Sequence, residues 1–110
     1  MKLKHIFSAL VFVFSTANLV AQQNNPGIIR GKITDKTSNE PVGFSTVSVL
    51  EGQKPVAAIS TKEDGSFEIK NLELKSYVLK VNFIGYNDAS KTITLSEENK
   101  EVNIGNITIE

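Results

Sequence analysis

A chain of 110 residues and 12.0 kDa has room for one domain, which excludes any enzyme that needs two. Twelve Lys and Arg balance twelve Asp and Glu, so net charge gives no reason to expect nucleic acid or an anionic membrane surface as partner. Cysteine is absent, which removes disulfides, thiolate metal sites, thiol nucleophiles and a lipidated amino-terminal Cys, and leaves an ordinary packed core as the source of stability.

The first segment reads as an address. Lys2 and Lys4 precede an apolar run from Ile6 to Phe14, broken only by Ser8, and small residues follow as far as Ala21. This is the layout of a secretory signal peptide over residues 1–21. The run is far shorter than the ~20 residues that cross a bilayer. Cleavage is expected after Ala21, with Ala17, preceded by Ser15, as the second candidate site. Removal also takes His5, the one histidine, and leaves ten basic against twelve acidic residues, a net charge of −2. Export without cysteine points to the bacterial cell envelope, in the periplasm or on the periplasmic face of the outer membrane, rather than to a small secreted eukaryotic domain.

Residues 22–27 form a short polar tail, and residues 28–110 read as one all-β domain. Ile, Val and Thr dominate this stretch while Ala is scarce, and β-branched side chains sit more freely in strands than in helices. In chain order the expected strands are 28–35, 44–50, 56–61, 66–72, 77–84, 90–95 and 101–110. Period-2 alternation marks Val47/Val49, Phe67/Ile69, Tyr77/Leu79/Val81/Phe83 and Ile93/Leu95, and with Ile33 these residues form the expected core. Asp64-Gly65 carries the strongest hairpin signal, because a tight turn needs positive φ. In the last strand Val102 and Ile104 share one phase and Ile107 and Ile109 the other, so Gly105 is expected to be a bulge. Seven short antiparallel strands predict a monomeric β-sandwich.

Little catalytic chemistry survives this inventory. Without His, Cys or Trp after residue 21, Ser-His-Asp triads, His-based metal sites and imidazole acid–base catalysis have no residues to use. The adjacent carboxylates Glu63-Asp64 and Glu97-Glu98 lack the dense alternating ligands of a Ca²⁺ loop and read as solvated turns. A glycosidase needs two carboxylates facing each other across a cleft, and a sandwich this small offers no obvious cleft. No catalytic residue, metal ligand or cofactor site is expected. Among the aromatics, Phe67, Tyr77 and Phe83 read as core, Phe44 sits in strand phase, and Tyr86 after Gly85 reads as a structural anchor.

Five motifs in order then carry a resemblance. They are Ile29-Arg30-Gly31-Lys32-Ile33-Thr34-Asp35, Glu40 to Val47, Thr61-Lys62-Glu63-Asp64-Gly65-Ser66-Phe67, Tyr77 to Val81, and Phe83-Ile84-Gly85-Tyr86. Together they resemble the carboxypeptidase-regulatory-like domain of Bacteroidetes envelope proteins, with Ser45 where Ala is usual and Lys62 where Asp is frequent. The resemblance implies a prealbumin-like or Ig-like Greek-key sandwich whose structural positions are Gly31, Asp35, Pro41, Asp64, Gly65, Phe67, Tyr77, Gly85 and Tyr86. Gly31 would allow close backbone approach or a bulge, Pro41 would stiffen the entry to the second strand, and Gly85 would supply positive φ. A signal peptide followed at once by this module is similar to the amino-terminal extension of TonB-dependent outer-membrane receptors. A barrel of eight strands needs more chain than this, so the sequence is expected to be a piece of such a receptor, truncated before plug and barrel. The alternative is a free-standing periplasmic binding module, with carbohydrate as its ligand. The expected partner is a receptor plug or barrel, another periplasmic protein, or a glycan, and not nucleic acid.

Overall fold

The computed structural model describes residues 24–110, and the segment 1–21 therefore lies outside the described residues. Seven strands form: β1 (Gly27–Asp35), β2 (Thr46–Glu51), β3 (Lys54–Ser60), β4 (Ser66–Leu72), β5 (Ser76–Asn82), β6 (Ala89–Thr94) and β7 (Glu101–Ile109). They pack as a three-stranded sheet, ordered β4-β1-β7, against a four-stranded sheet, ordered β3-β2-β5-β6. Every pairing is antiparallel except β1 with β7, which run parallel, so the expectation of antiparallel strands holds for all but that one ladder. No local turn signal reports such a pairing, because its partners lie at opposite ends of the domain.

Alternation along each strand fills the space between the sheets. Ile33, Val47, Val49, Phe67, Ile69, Tyr77, Leu79, Val81, Ile93 and Leu95 are all buried, as their phase predicts. Phe83 departs from the expected core: β5 ends at Asn82, so the Phe83 ring lies half-buried beyond the ladder and packs on Tyr86, with ring centroids 5.8 Å apart. Four further apolar residues complete the core, namely Ile29, Val42, Leu72 and Ile109.

Two glycines shape the three-stranded sheet. The β1–β7 register runs Arg30 to Asn103 and then Lys32 to Asn106, so β7 spends one extra residue there. Gly105 lies in that excess with φ +70°, the expected bulge, and its N–H donates to the Asn103 Oδ1 at 2.9 Å. Opposite it, Gly31 is a site of close approach rather than a bulge of its own. A Cβ there would lie 2.7 Å from Ile104 and 2.8 Å from the Phe67 ring, which occupies the space a side chain would take.

The Asp64-Gly65 turn forms, but it does not close a hairpin between paired strands. β3 belongs to the four-stranded sheet and β4 pairs with β1, so the turn carries the chain from one sheet to the other. Gly65, at φ +80°, is buried against the Ile33 carbonyl, which accounts for glycine there. Pro41 likewise serves a different neighbour from the one expected. It bridges to Thr34, and the Val42 N–H donates to the Ile33 carbonyl at 2.9 Å, so the segment before β2 is folded back along the end of β1.

Candidate functional site

Antiparallel running of β2, β3 and β5 brings three connections to one end of the sandwich: residues 36–45, 61–65 and 83–88. Asp35 ends β1 at this place, and its carboxylate organises the corner. Oδ1 accepts the Thr37 and Ser38 amides at 2.8 and 3.0 Å, and Oδ2 accepts the Tyr86 hydroxyl at 2.6 Å. The Tyr86 hydroxyl and these two amides hold the Asp35 carboxyl below the usual carboxylate range, and Asp35 in turn pushes the Tyr86 phenol up. Tyr86 is thus the anchor expected from its position, and its acceptor is a carboxylate 51 residues away. Gly85, at φ +86°, makes the turn that delivers it.

Beneath this corner lies a buried hydroxyl pair that the sequence reading missed. The Thr61 Oγ1 accepts the Ser45 N–H at 3.0 Å, lies 3.2 Å from the Ser45 Oγ, and donates to the Val42 carbonyl at 3.2 Å. Both residues are buried, and among the described residues no buried side-chain nitrogen or oxygen lacks a partner. The one available signal was Ser45 itself, a polar residue in the phase of a core strand.

Over this well-satisfied base, the same end exposes apolar surface. Phe44 is 66% exposed and Ile84 is 90% exposed. The β2–β5 register pairs Thr46 with Asn82, which puts both residues just past the same end of that ladder. Phe44 also has φ +62°, the left-handed region that costs a non-glycine residue roughly 1–2 kcal/mol. Phe44 falls within the second strand expected from the sequence, whereas β2 begins at Thr46; its position alternates with those of Ser45, Val47 and Val49, which face the core. Asn39 and Asn71 share the left-handed region, but asparagine tolerates it and phenylalanine does not.

The remaining predicted positions are structural. The Tyr77 hydroxyl donates to the Glu73 carbonyl at 2.8 Å while its ring is buried. Asp64 accepts the Ser66 N–H and hydroxyl at 3.0 and 2.6 Å, which closes its turn. Glu97 pairs with Lys100 on the surface. Among the described residues no three acidic side chains gather closely enough to hold a metal ion.

A second surface feature lies on the outer face of the β4-β1-β7 sheet. A depression of about 500 Å³ lies there, lined by Gly105 of the bulge and by Arg30, Lys32, Lys62, Ser66, Asn103 and Asn106. Phe67 lies under its floor, 4% exposed.

What the two sheets define is a seven-stranded β-sandwich module. The chain matches the model of the CarboxypepD_reg-like domain over residues 29–108 and belongs to that family. Among curated protein sequences none matches at a significant level.

Solved structures share the fold at low identity. The pilus 2b backbone protein of group B streptococcus superposes with TM-score 0.60 at 18% identity, over 76% of this chain and 40% of that one. The 5-hydroxyisourate hydrolase of Klebsiella pneumoniae gives 0.59 at 16%, over 74% of this chain and 90% of the hydrolase. A putative carbohydrate binding protein from Pseudomonas aeruginosa gives 0.56 at 13%, over 80% and 93%. The match takes in only 40% of the pilus protein's length. At these identities the likeness concerns the fold alone.

Proposed function

We propose that this domain is the docking module of a cell-envelope protein, exported by residues 1–21 and acting as the amino-terminal extension of a TonB-dependent outer-membrane receptor. The observation that carries the reading is the pairing of exposed Phe44 and Ile84 over a rigid, fully hydrogen-bonded corner. An aromatic side chain held open in a strained backbone is costly to keep unless a partner covers it. The order of signal-like segment and module, together with the Phe83-Ile84-Gly85-Tyr86 wording, supports the receptor context. On this reading the occupant of the Phe44 end is the receptor's own plug or a periplasmic protein.

Photo-crosslinking tests it. A benzophenone amino acid at Ile84 in the envelope-resident protein should capture a defined protein partner, and one at Lys91 on β6 should not. In a receptor that carries the module, deleting residues 28–110 should impair uptake while the barrel stays folded. Wild-type uptake of every ligand after that deletion contradicts the accessory role.

A second reading, a carbohydrate-binding module, has its own observation in the dished polar face of the three-stranded sheet. The likeness to a putative carbohydrate binding protein over nearly all of that protein's length supports it.

A further inference from the structure

The depression on the β4-β1-β7 sheet has a chemistry more specific than polarity. Arg30 is already engaged, by Glu68 from β4 and by Glu101 from β7. Glu68 also takes Lys70 at 3.2 Å, so these four charges neutralise one another. Lys32 and Lys62 are different. Neither has a carboxylate within ion-pair distance among the described residues, although the field of both reaches Asp64. The Asp64 Oδ1 is in turn taken up by Ser66. Asp64 keeps its negative charge while it accepts from Ser66, so the two lysines and this one carboxylate leave a net charge of +1 at the Lys32 and Lys62 rim.

The opposite rim offers amides. The Asn103 Oδ1 accepts the Gly105 N–H in the bulge, which leaves its amide NH₂ as an oriented donor, and Asn106 follows on the same strand. Ser66 adds a hydroxyl. A volume of about 500 Å³ falls within the range of small-ligand sites, roughly 300–1,000 Å³. No aromatic ring lies open in it for a neutral sugar to stack on, since Phe67 is buried beneath. Nor is it a strand edge. It lies on the pleated face across three strands, where an extended peptide would find no backbone ladder to join.

We propose that this face binds an acidic saccharide, with its carboxylate or sulfate held between Lys32 and Lys62 and its hydroxyls on Asn103, Asn106 and Ser66. The inference rests on the second reading above, and names its ligand class. The docking end is a separate surface built on Phe44 and Ile84.

Calorimetric titration of the purified protein at low ionic strength tests it with four probes: an oligogalacturonate, a carrageenan oligosaccharide that carries sulfate and no carboxylate, a neutral malto-oligosaccharide of equal length, and poly-glutamate. The uronate or the sulfated probe should bind at least about tenfold more tightly than the neutral one, and which of the two binds identifies the anionic group. Lys32→Gln with Lys62→Gln should lower that affinity about tenfold, and added salt should lower it for the native protein. Asn106→Ala should weaken binding while leaving the salt dependence intact. Because Lys62 is exposed and Lys32 only partly covered, the double variant should keep the native melting curve, which separates lost binding from lost fold. Equal binding of the neutral probe overturns the anionic class while leaving a carbohydrate module standing. Poly-glutamate binding as tightly as the saccharides overturns the saccharide. Binding of none of the four overturns both.

Discussion

At the end where Tyr86 reaches Asp35, the connections are tied by buried or half-buried hydrogen bonds, and the chain packs so closely that a Cβ on Gly65 would sit 2.5 Å from the Ile33 carbonyl. At the opposite end the β2–β3 turn stands free: Gly52 has nothing within 4 Å of where a Cβ would be. The ties there are the Tyr77 hydroxyl on the Glu73 carbonyl at 2.8 Å, backbone bonds, and surface ion pairs, with Lys75 at 3.0 Å from Glu51 and 2.9 Å from Glu73. The first end combines rigidity with exposed apolar side chains. The second packs as closely at Gly27, where a Cβ would collide with the Leu72 carbonyl, but it has neither the buried Ser45–Thr61 hydroxyl pair nor a strained aromatic. Surface ion pairs contribute little in water, whereas satisfied buried polar groups fix one geometry. On the proposed reading, the docking role falls to the end that exposes Phe44 and Ile84.

The largest expected effect compares two glycines with the same sign of φ. Gly65→Ala should cost at least about 2 kcal/mol, because strain is joined by a backbone collision. Gly52→Ala, at φ +64° in open space, should cost about 1 kcal/mol. Urea midpoints of the two variants check this, and equal losses would mean that the two turns are packed alike.

Next comes the buried hydroxyl pair. Thr61→Val should cost about 1–3 kcal/mol, since the Ser45 N–H and the Val42 carbonyl lose their partner away from water. Its counterpart is the exposed Ser76–Thr94 hydroxyl contact, where Ser76→Ala should stay within about 0.5 kcal/mol. The same urea titrations measure both.

How far these features were legible in the sequence follows from their range. Strand identity was legible because period-2 alternation and Gly, Pro and Asp punctuation are local, and all seven strands lie where those signals place them. Gly105 was legible because a bulge shows as a phase change within one strand. The parallel β1–β7 ladder, the passage of Asp64-Gly65 between sheets and the Tyr86–Asp35 bond were not, since each joins residues whose proximity is set by the whole fold. Phe44 differs for another reason: β2 begins two residues later than the alternation suggests, and no local signal reports the positive φ at Phe44. The dished face was hidden because Lys32, Lys62 and Asn106 come from separate segments that meet only across the sheet.

A smaller effect should appear in acid. The folded Asp35 carboxyl titrates below its ordinary value of 3.8, so its contribution is fully present above that value and is lost as pH falls through the lower folded one. Tyr86→Phe removes the largest cause of the shift, and the variant should lose less stability than the native protein as pH is lowered below about 4. Urea midpoints measured across that range decide it, and parallel curves would mean that the hydroxyl does not hold the carboxylate. Smallest of all is the other end's ion pair. Lys75→Gln should leave the midpoint unchanged, and a fall comparable with that of Thr61→Val would reverse the ranking of the two ends.

The most direct measurement of the docking claim is Phe44→Gly, assayed for both stability and partner capture. Glycine adopts φ +62° without strain, and the ring it removes is mostly in water. The urea midpoint should hold or rise, while crosslinking from Ile84 to the partner protein falls sharply. A midpoint that drops as for a core truncation, or crosslinking that persists at the native level, would contradict the account.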